Sequence, residues 1–122
     1  MESKTKYIQS PILVISLSPI YIEATDEWIG IRTPFRRKRI PYDQITSIKR
    51  PDHDIRNNIR VCGCGGVGGW TGWFRDKEYG LYLSYVTDFD KVFVIFRKEG
   101  KPIFISVDEP DEFMPYFLKN QD

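Results

Sequence analysis

Three stretches in the second half of the chain repeat with a period of two. Leu81, Leu83 and Tyr85 alternate with Tyr82, Ser84 and Val86; Val92, Val94 and Phe96 alternate with Phe93, Ile95 and Arg97; Ile103, Ile105 and Val107 alternate with Phe104 and Ser106. Successive side chains point to opposite faces only in extended backbone, so these runs predict strands, and three in succession predict a sheet. Thr87-Asp88-Phe89-Asp90 and Lys98-Glu99-Gly100-Lys101 separate them. With turns at both places, the second holding a glycine that can take positive φ, the simplest reading is a three-stranded meander.

The first half carries the same signal less cleanly. Ile12, Leu13, Val14, Ile15 and Leu17 form a β-branched run stopped by Ser18-Pro19, and residues 20–25 and 28–33 read as two further strands. Phe35-Arg36-Arg37-Lys38-Arg39-Ile40, bracketed by Pro34 and Pro41, is too short and too basic for a core helix and suits an exposed edge strand. Ile45 and Ile48 fit either a helical turn or a strand entry, of which the strand is the preferred reading. A helical period appears only at the end, where Phe113, Met114, Phe117 and Leu118 follow Asp108-Glu109-Pro110-Asp111-Glu112. Proline suits a first helical position and acids favour the positive end of the helix dipole. Pro115 would deny a hydrogen bond to the Asp111 carbonyl, which predicts an irregular first turn or a start nearer Glu112. Seven or more strands and one helix make a mainly β chain: a curved sheet or partly open antiparallel barrel capped by a C-terminal α-helix.

A length of 122 residues suits one domain, 1–122, with about the first eight residues as a flexible tail. Aromatic side chains make up 15% of the chain, enough apolar bulk to offset the entropy of ordering it. Cys62 and Cys64 stand too close for an easy bridge and read as free thiols, which suits a cytoplasmic protein. Residues 7–22 are broken by Pro11, Pro19, Gln9 and serines, short of the ~20 apolar residues that span a bilayer. No signal peptide is expected, because Pro11 breaks the apolar run and no Ala-x-Ala site follows.

Six of the nine glycines lie in residues 61–74, among Trp70, Trp73 and Phe74. Gly63-Cys64-Gly65-Gly66-Val67-Gly68 formally satisfies G-x-G-x-x-G, yet no helical period follows and no Gly-Lys-Ser/Thr completes a P-loop. Nucleotide binding is therefore not expected. The glycines serve either a sharp strand bend or a loop that presents Trp70, Trp73 and Phe74 to a partner.

Arg-Ile-Pro-Tyr-Asp-Gln-Ile at 39–45, Arg60 with the glycine run ending Gly72-Trp73-Phe74, Gly80-Leu81-Tyr82, Thr87-Asp88 and Ile105-Ser106-Val107-Asp108-Glu109-Pro110-Asp111-Glu112-Phe113 together resemble a bacterial pleckstrin-homology-like family. The resemblance covers residues 20–118. It implies a PH-like roll of about seven strands in two packed sheets, with the C-terminal helix plugging one end. It also implies a non-enzymatic interaction module. Eukaryotic relatives that bind phosphoinositides use a basic loop between their first two strands, and nothing comparable occupies residues 17–20.

Candidate chemistry is sparse. His53, the one histidine, with Cys62 and Cys64 offers three zinc-type ligands where a structural site wants four, so no metal and no cofactor are expected. No nucleophile elbow or base signature accompanies it, and His53 reads as a solvated loop residue with no catalytic role. Asp108, Glu109, Asp111 and Glu112 lack calcium-loop spacing and read as helix capping.

Charge is more informative. The chain is near neutral at +1, but residues 32–60 hold nine basic and three acidic side chains. Arg36, Arg37, Lys38 and Arg39, joined by Lys49 and Arg50, form a candidate anion or lipid patch, provided a neighbouring strand brings Lys49 or Arg50 to them. The expected function is protein binding or self-association through Trp70, Trp73 and Phe74; the alternative is peripheral attachment to anionic lipid at the membrane surface through residues 36–50. No nucleic-acid partner and no small-molecule substrate are expected, since no strand interleaves aromatic with basic residues and no catalytic motif is present.

Overall fold

The computed structural model describes residues 13–16, 20–33, 37–63 and 70–121. Among them are ten strands and one α-helix: β1 (Leu13–Ser16), β2 (Tyr21–Ala24), β3 (Trp28–Arg32), β4 (Arg37–Pro41), β5 (Ile45–Lys49), β6 (Ile59–Gly63), β7 (Trp70–Asp76), β8 (Gly80–Val86), β9 (Val92–Arg97), β10 (Ile103–Ser106) and α1 (Pro110–Gln121). The strands form two sheets, β1-β2-β3-β4 and β5-β9-β10-β8-β7-β6, with no ladder joining one to the other, so the roll is not a closed barrel. Among the described residues no helix is long and apolar enough to cross a membrane.

The main core lies between the sheets. Ile22, Ile29, Ile31 and Ile40 from the narrow sheet meet Ile45, Ile48, Phe93, Ile95, Ile103 and Ile105 from the wide one. Helix α1 closes one end by burying Phe113 edge-on against Phe93 and Phe117 edge-on against Tyr42. It begins at Pro110, not nearer Glu112. The Glu109 carbonyl accepts from both Glu112 and Phe113 N–H, while exposed Asp111 and Pro115 put the hydrogen bond lost to proline on the solvent side.

The expected meander does not form. β10 is inserted between β8 and β9, antiparallel to β9 and parallel to β8. The Lys98 to Lys101 turn does make a hairpin, with Gly100 at φ 103°. Residues 87–91, however, span two strand spacings, roughly 10 Å, instead of making a tight turn. Buried Ser106 fixes that crossing, its Oγ accepting from Thr87 N–H at 2.6 Å and Asp88 N–H at 3.0 Å. All four β10 residues are buried, as a strand with neighbours on both edges and cover on both faces requires.

A second core covers the outer face of the wide sheet. Phe74, Tyr82, Phe104, Val94 and Val92 line that face beneath Ile55. Ile55 sits in residues 50–58, which join β5 at one edge to β6 at the other. On a flat sheet that crossing is roughly 24 Å at ~4.8 Å per spacing. Nine residues reach ~30 Å at most, so the segment has little slack and lies as a strap on the sheet.

Candidate functional site

The strap is held by a polar cluster that the sequence did not announce. Asp76, at the end of β7, is only 2% exposed. Its carboxylate accepts from His53 Nε2 at 2.8 Å, Asn58 Nδ2 at 2.9 Å, and the Glu78 and Tyr79 N–H groups at 2.8 and 2.9 Å. Burial alone would raise this carboxyl, but the hydrogen bonds from Tyr79, His53, Glu78 and Asn58 outweigh it and hold Asp76 below the ordinary carboxylate value. Asn58 also donates to Tyr82 Oη at 2.8 Å, and Asp52 N–H donates to Tyr79 Oη at 3.2 Å.

His53 is therefore not a solvated loop residue. Its ring stacks on Tyr79, with centroids 5.4 Å apart, and its Nδ1 lies 3.3 Å from Glu78 Oε1. Both ring nitrogens thus face carboxylates. The cluster ties the strap to the sheet. The cleft beside it, about 310 Å³, is lined by Arg50, Arg56, Asp54 and Asp90 among others, and its charges are matched internally: Arg56 pairs with Asp54 at 3.3 Å and Asp90 at 3.1 Å. Among the described residues no group of His, Cys, Asp and Glu is placed to hold a metal ion.

The structure separates the six basic candidates. Arg36 lies outside the described residues. Arg37, Lys38 and Arg39 occupy β4, a sheet edge as the sequence suggested, and among the described residues β4 pairs with β3 alone. Lys49 and Arg50 belong to the wide sheet, where Lys49 pairs with Asp52 at 3.3 Å and Arg50 donates to the Asp90 carbonyl at 2.6 Å. They do not extend the β4 patch. β3 supplies Arg32 instead, directly opposite Arg37.

Arg32, Arg37 and Arg39 share the outer face of the narrow sheet with two aromatic rings. Arg39 Cζ lies 4.6 Å over the Trp28 ring and Arg32 Cζ lies 4.6 Å over Tyr21. Trp28 can lie flat because Gly30, two residues along the same face, has no side chain: a Cβ there would meet the indole at 2.5 Å. Arg32, Tyr21 and Trp28 escaped the sequence reading because their convergence depends on strand pairing. The alternation Trp28, Gly30, Arg32 was the available signal.

The aromatic candidates also divide. Phe74 is 3% exposed and stacked on Tyr82, so it belongs to the second core and not to a contact loop. Trp73 points to the other face of β7, half-buried, opposite half-buried Leu83. Trp70 begins β7, but its side chain lies outside the described residues, as does Cys64. Neighbouring β6 ends the wide sheet with Ile59 69% and Val61 51% exposed. Among the described residues no apolar side chain of β6 or β7 joins the core between the sheets, although Thr71, opposite Tyr85, is buried on that face.

Comparison with known proteins agrees with the architecture. The family model described as bacterial PH domain matches residues 20–120. No curated protein and no solved structure gives a significant match. PH domains are in general binding modules that engage proteins or lipids, not catalysts. A two-sheet roll plugged by its last helix, matched over most of its length by that model, makes this chain a member of the bacterial PH domain family.

Proposed function

We propose that this chain is a non-enzymatic docking module that takes a protein partner on the β6 edge of its wide sheet. The observation that carries the reading is the exposed edge strand β6, with Ile59 and Val61 in solvent and Trp73 on the adjacent strand. An edge strand offers unpaired N–H and C=O groups to any extended segment, and monomeric proteins ordinarily guard such an edge with charge, proline or a bulge. β6 has one bulge, between Arg60 and Cys62, and one charge, Arg60, whose guanidinium is drawn over the Phe74 ring at 5.2 Å. The occupant that fits is an extended segment of a partner protein that pairs with β6 and seats an apolar side chain against Ile59.

A photocrosslinking residue placed at Val61 should capture a protein partner in cells, and one at exposed Lys98 should not. Capture should weaken when Ile59→Lys is combined with the crosslinker. Equal capture at both positions, or none at Val61, overturns the reading.

A further inference from the structure

We propose a second docking surface on the opposite side of the molecule: the outer face and edge of β4, which takes an extended acidic segment of a protein. Arg32 and Arg37 are direct cross-strand partners, and Arg39 stands two residues beyond Arg37 on the same face. Like charges placed directly opposite each other repel. Among the described residues no carboxylate forms a salt bridge with any of the three, and the carboxylate that shares their cleft, Glu23, accepts the Tyr21 hydroxyl at 2.9 Å. Elsewhere the exposed cations of the strap are matched by Asp52, Asp54 and Asp90. Among the described residues the β4 face gathers three arginines around a single carboxylate, Glu23, and keeps an excess of positive charge.

Geometry selects the partner's form. The rings of Trp28 and Tyr21 hold two guanidinium planes in place, so less side-chain freedom is lost when an anion is bound. The cleft between them is small, about 50 Å³, room for a carboxylate group. Arg37 and Arg39 recur at the strand period of two on a strand that is an edge among the described residues. A segment pairing with β4 therefore brings every second side chain to this face, where carboxylates at those positions meet the arginines. The charge that keeps ordinary strands off this edge becomes the selector for an acidic one.

The test is fluorescence anisotropy with the full chain and a labelled peptide alternating Glu with Thr. A Glu–Pro peptide of equal charge, which cannot pair with a strand, and phosphatidylserine vesicles serve as the other arms. The expected result is binding of the Glu–Thr peptide that weakens at least tenfold in R37E/R39E, weakens with added salt, and is unchanged in K98E. The Glu–Pro peptide should bind at least fivefold more weakly. Circular dichroism checks that each variant folds, and R39Q serves as the milder substitution if the double reversal does not. Equal binding of the two peptides, vesicle binding without peptide binding, or no binding at all overturns the proposal. Because β6 is untouched, capture at Val61 is scored separately.

Discussion

Strands β4 and β6 each end a sheet, and they meet the exposed-edge problem in opposite ways. β4 carries Arg37, Lys38 and Arg39 and ends in Pro41, so it repels most strands that approach it. β6 leaves Ile59 and Val61 in water, and its one arginine lies over an aromatic ring. The difference follows from position. β4 sends Ile40 into the core between the sheets and turns Arg37 and Arg39 to the outer face. β6 adds no described side chain to either core and is joined to the strap that precedes it and paired with β7. One edge is selective by charge, and the other is open to apolar contact.

The comparison can be broken most strongly at the strap. Asp76→Ala strands the Asn58 amide, the His53 ring and two backbone N–H groups in a buried site, and should cost about 2–4 kcal/mol, read as a fall in denaturation midpoint. It should also loosen β6 more than β4, which hydrogen exchange resolves strand by strand. The acid dependence has a definite sign. The folded-state carboxyl of Asp76 lies below its unfolded value, so its stabilisation is present above pH ~4 and is lost as pH falls through the folded value. Asp76→Asn should flatten that acid limb of a melting-temperature profile, and an unchanged limb would assign it to other carboxylates.

Gly30→Ala acts on the β4 side. The new methyl needs the space of the Trp28 ring, so the indole must move; a cost of about 1–3 kcal/mol is expected, with altered tryptophan fluorescence as Arg39 loses its platform. Arg37→Glu should instead stabilise slightly, by roughly 0.2–1 kcal/mol, because it turns the repulsive pair with Arg32 into an attractive one. A loss of stability there would show that an uncharted partner already neutralises Arg37. The smallest stability effect belongs to Ile59→Lys, within about 0.5 kcal/mol, since this side chain is already in water. Its effect should appear in association, measured by light scattering or partner capture.

Several parts of this molecule were legible from residue order. The β4 edge could be read from Pro34, Pro41 and the basic run between them, since both prolines and charges tell against a central strand. The helix could be read from Phe113 and Phe117, which recur one turn apart and do enter the core. The role of His53 could not, because Asp76 lies 23 positions away and meets it only after the strap has crossed the sheet. The basic patch was read along the chain as residues 36–50, whereas the folded cluster takes Arg32 from the preceding strand and leaves Lys49 and Arg50 elsewhere. A hairpin partner was closer in space than the next charges in sequence.

Period and composition by themselves determined that the chain is mainly β with one terminal helix, because the alternation of apolar side chains is a local consequence of extended backbone. They could not determine which strands are neighbours, since every strand pairs through the same backbone groups. Tertiary structure decided that β10 enters between β8 and β9, that the described strands divide into sheets of four and six, and that three arginines and two aromatic rings share one face. Each of those outcomes depends on how apolar faces are covered and how far a connection reaches, and both quantities exist only once the sheets have packed.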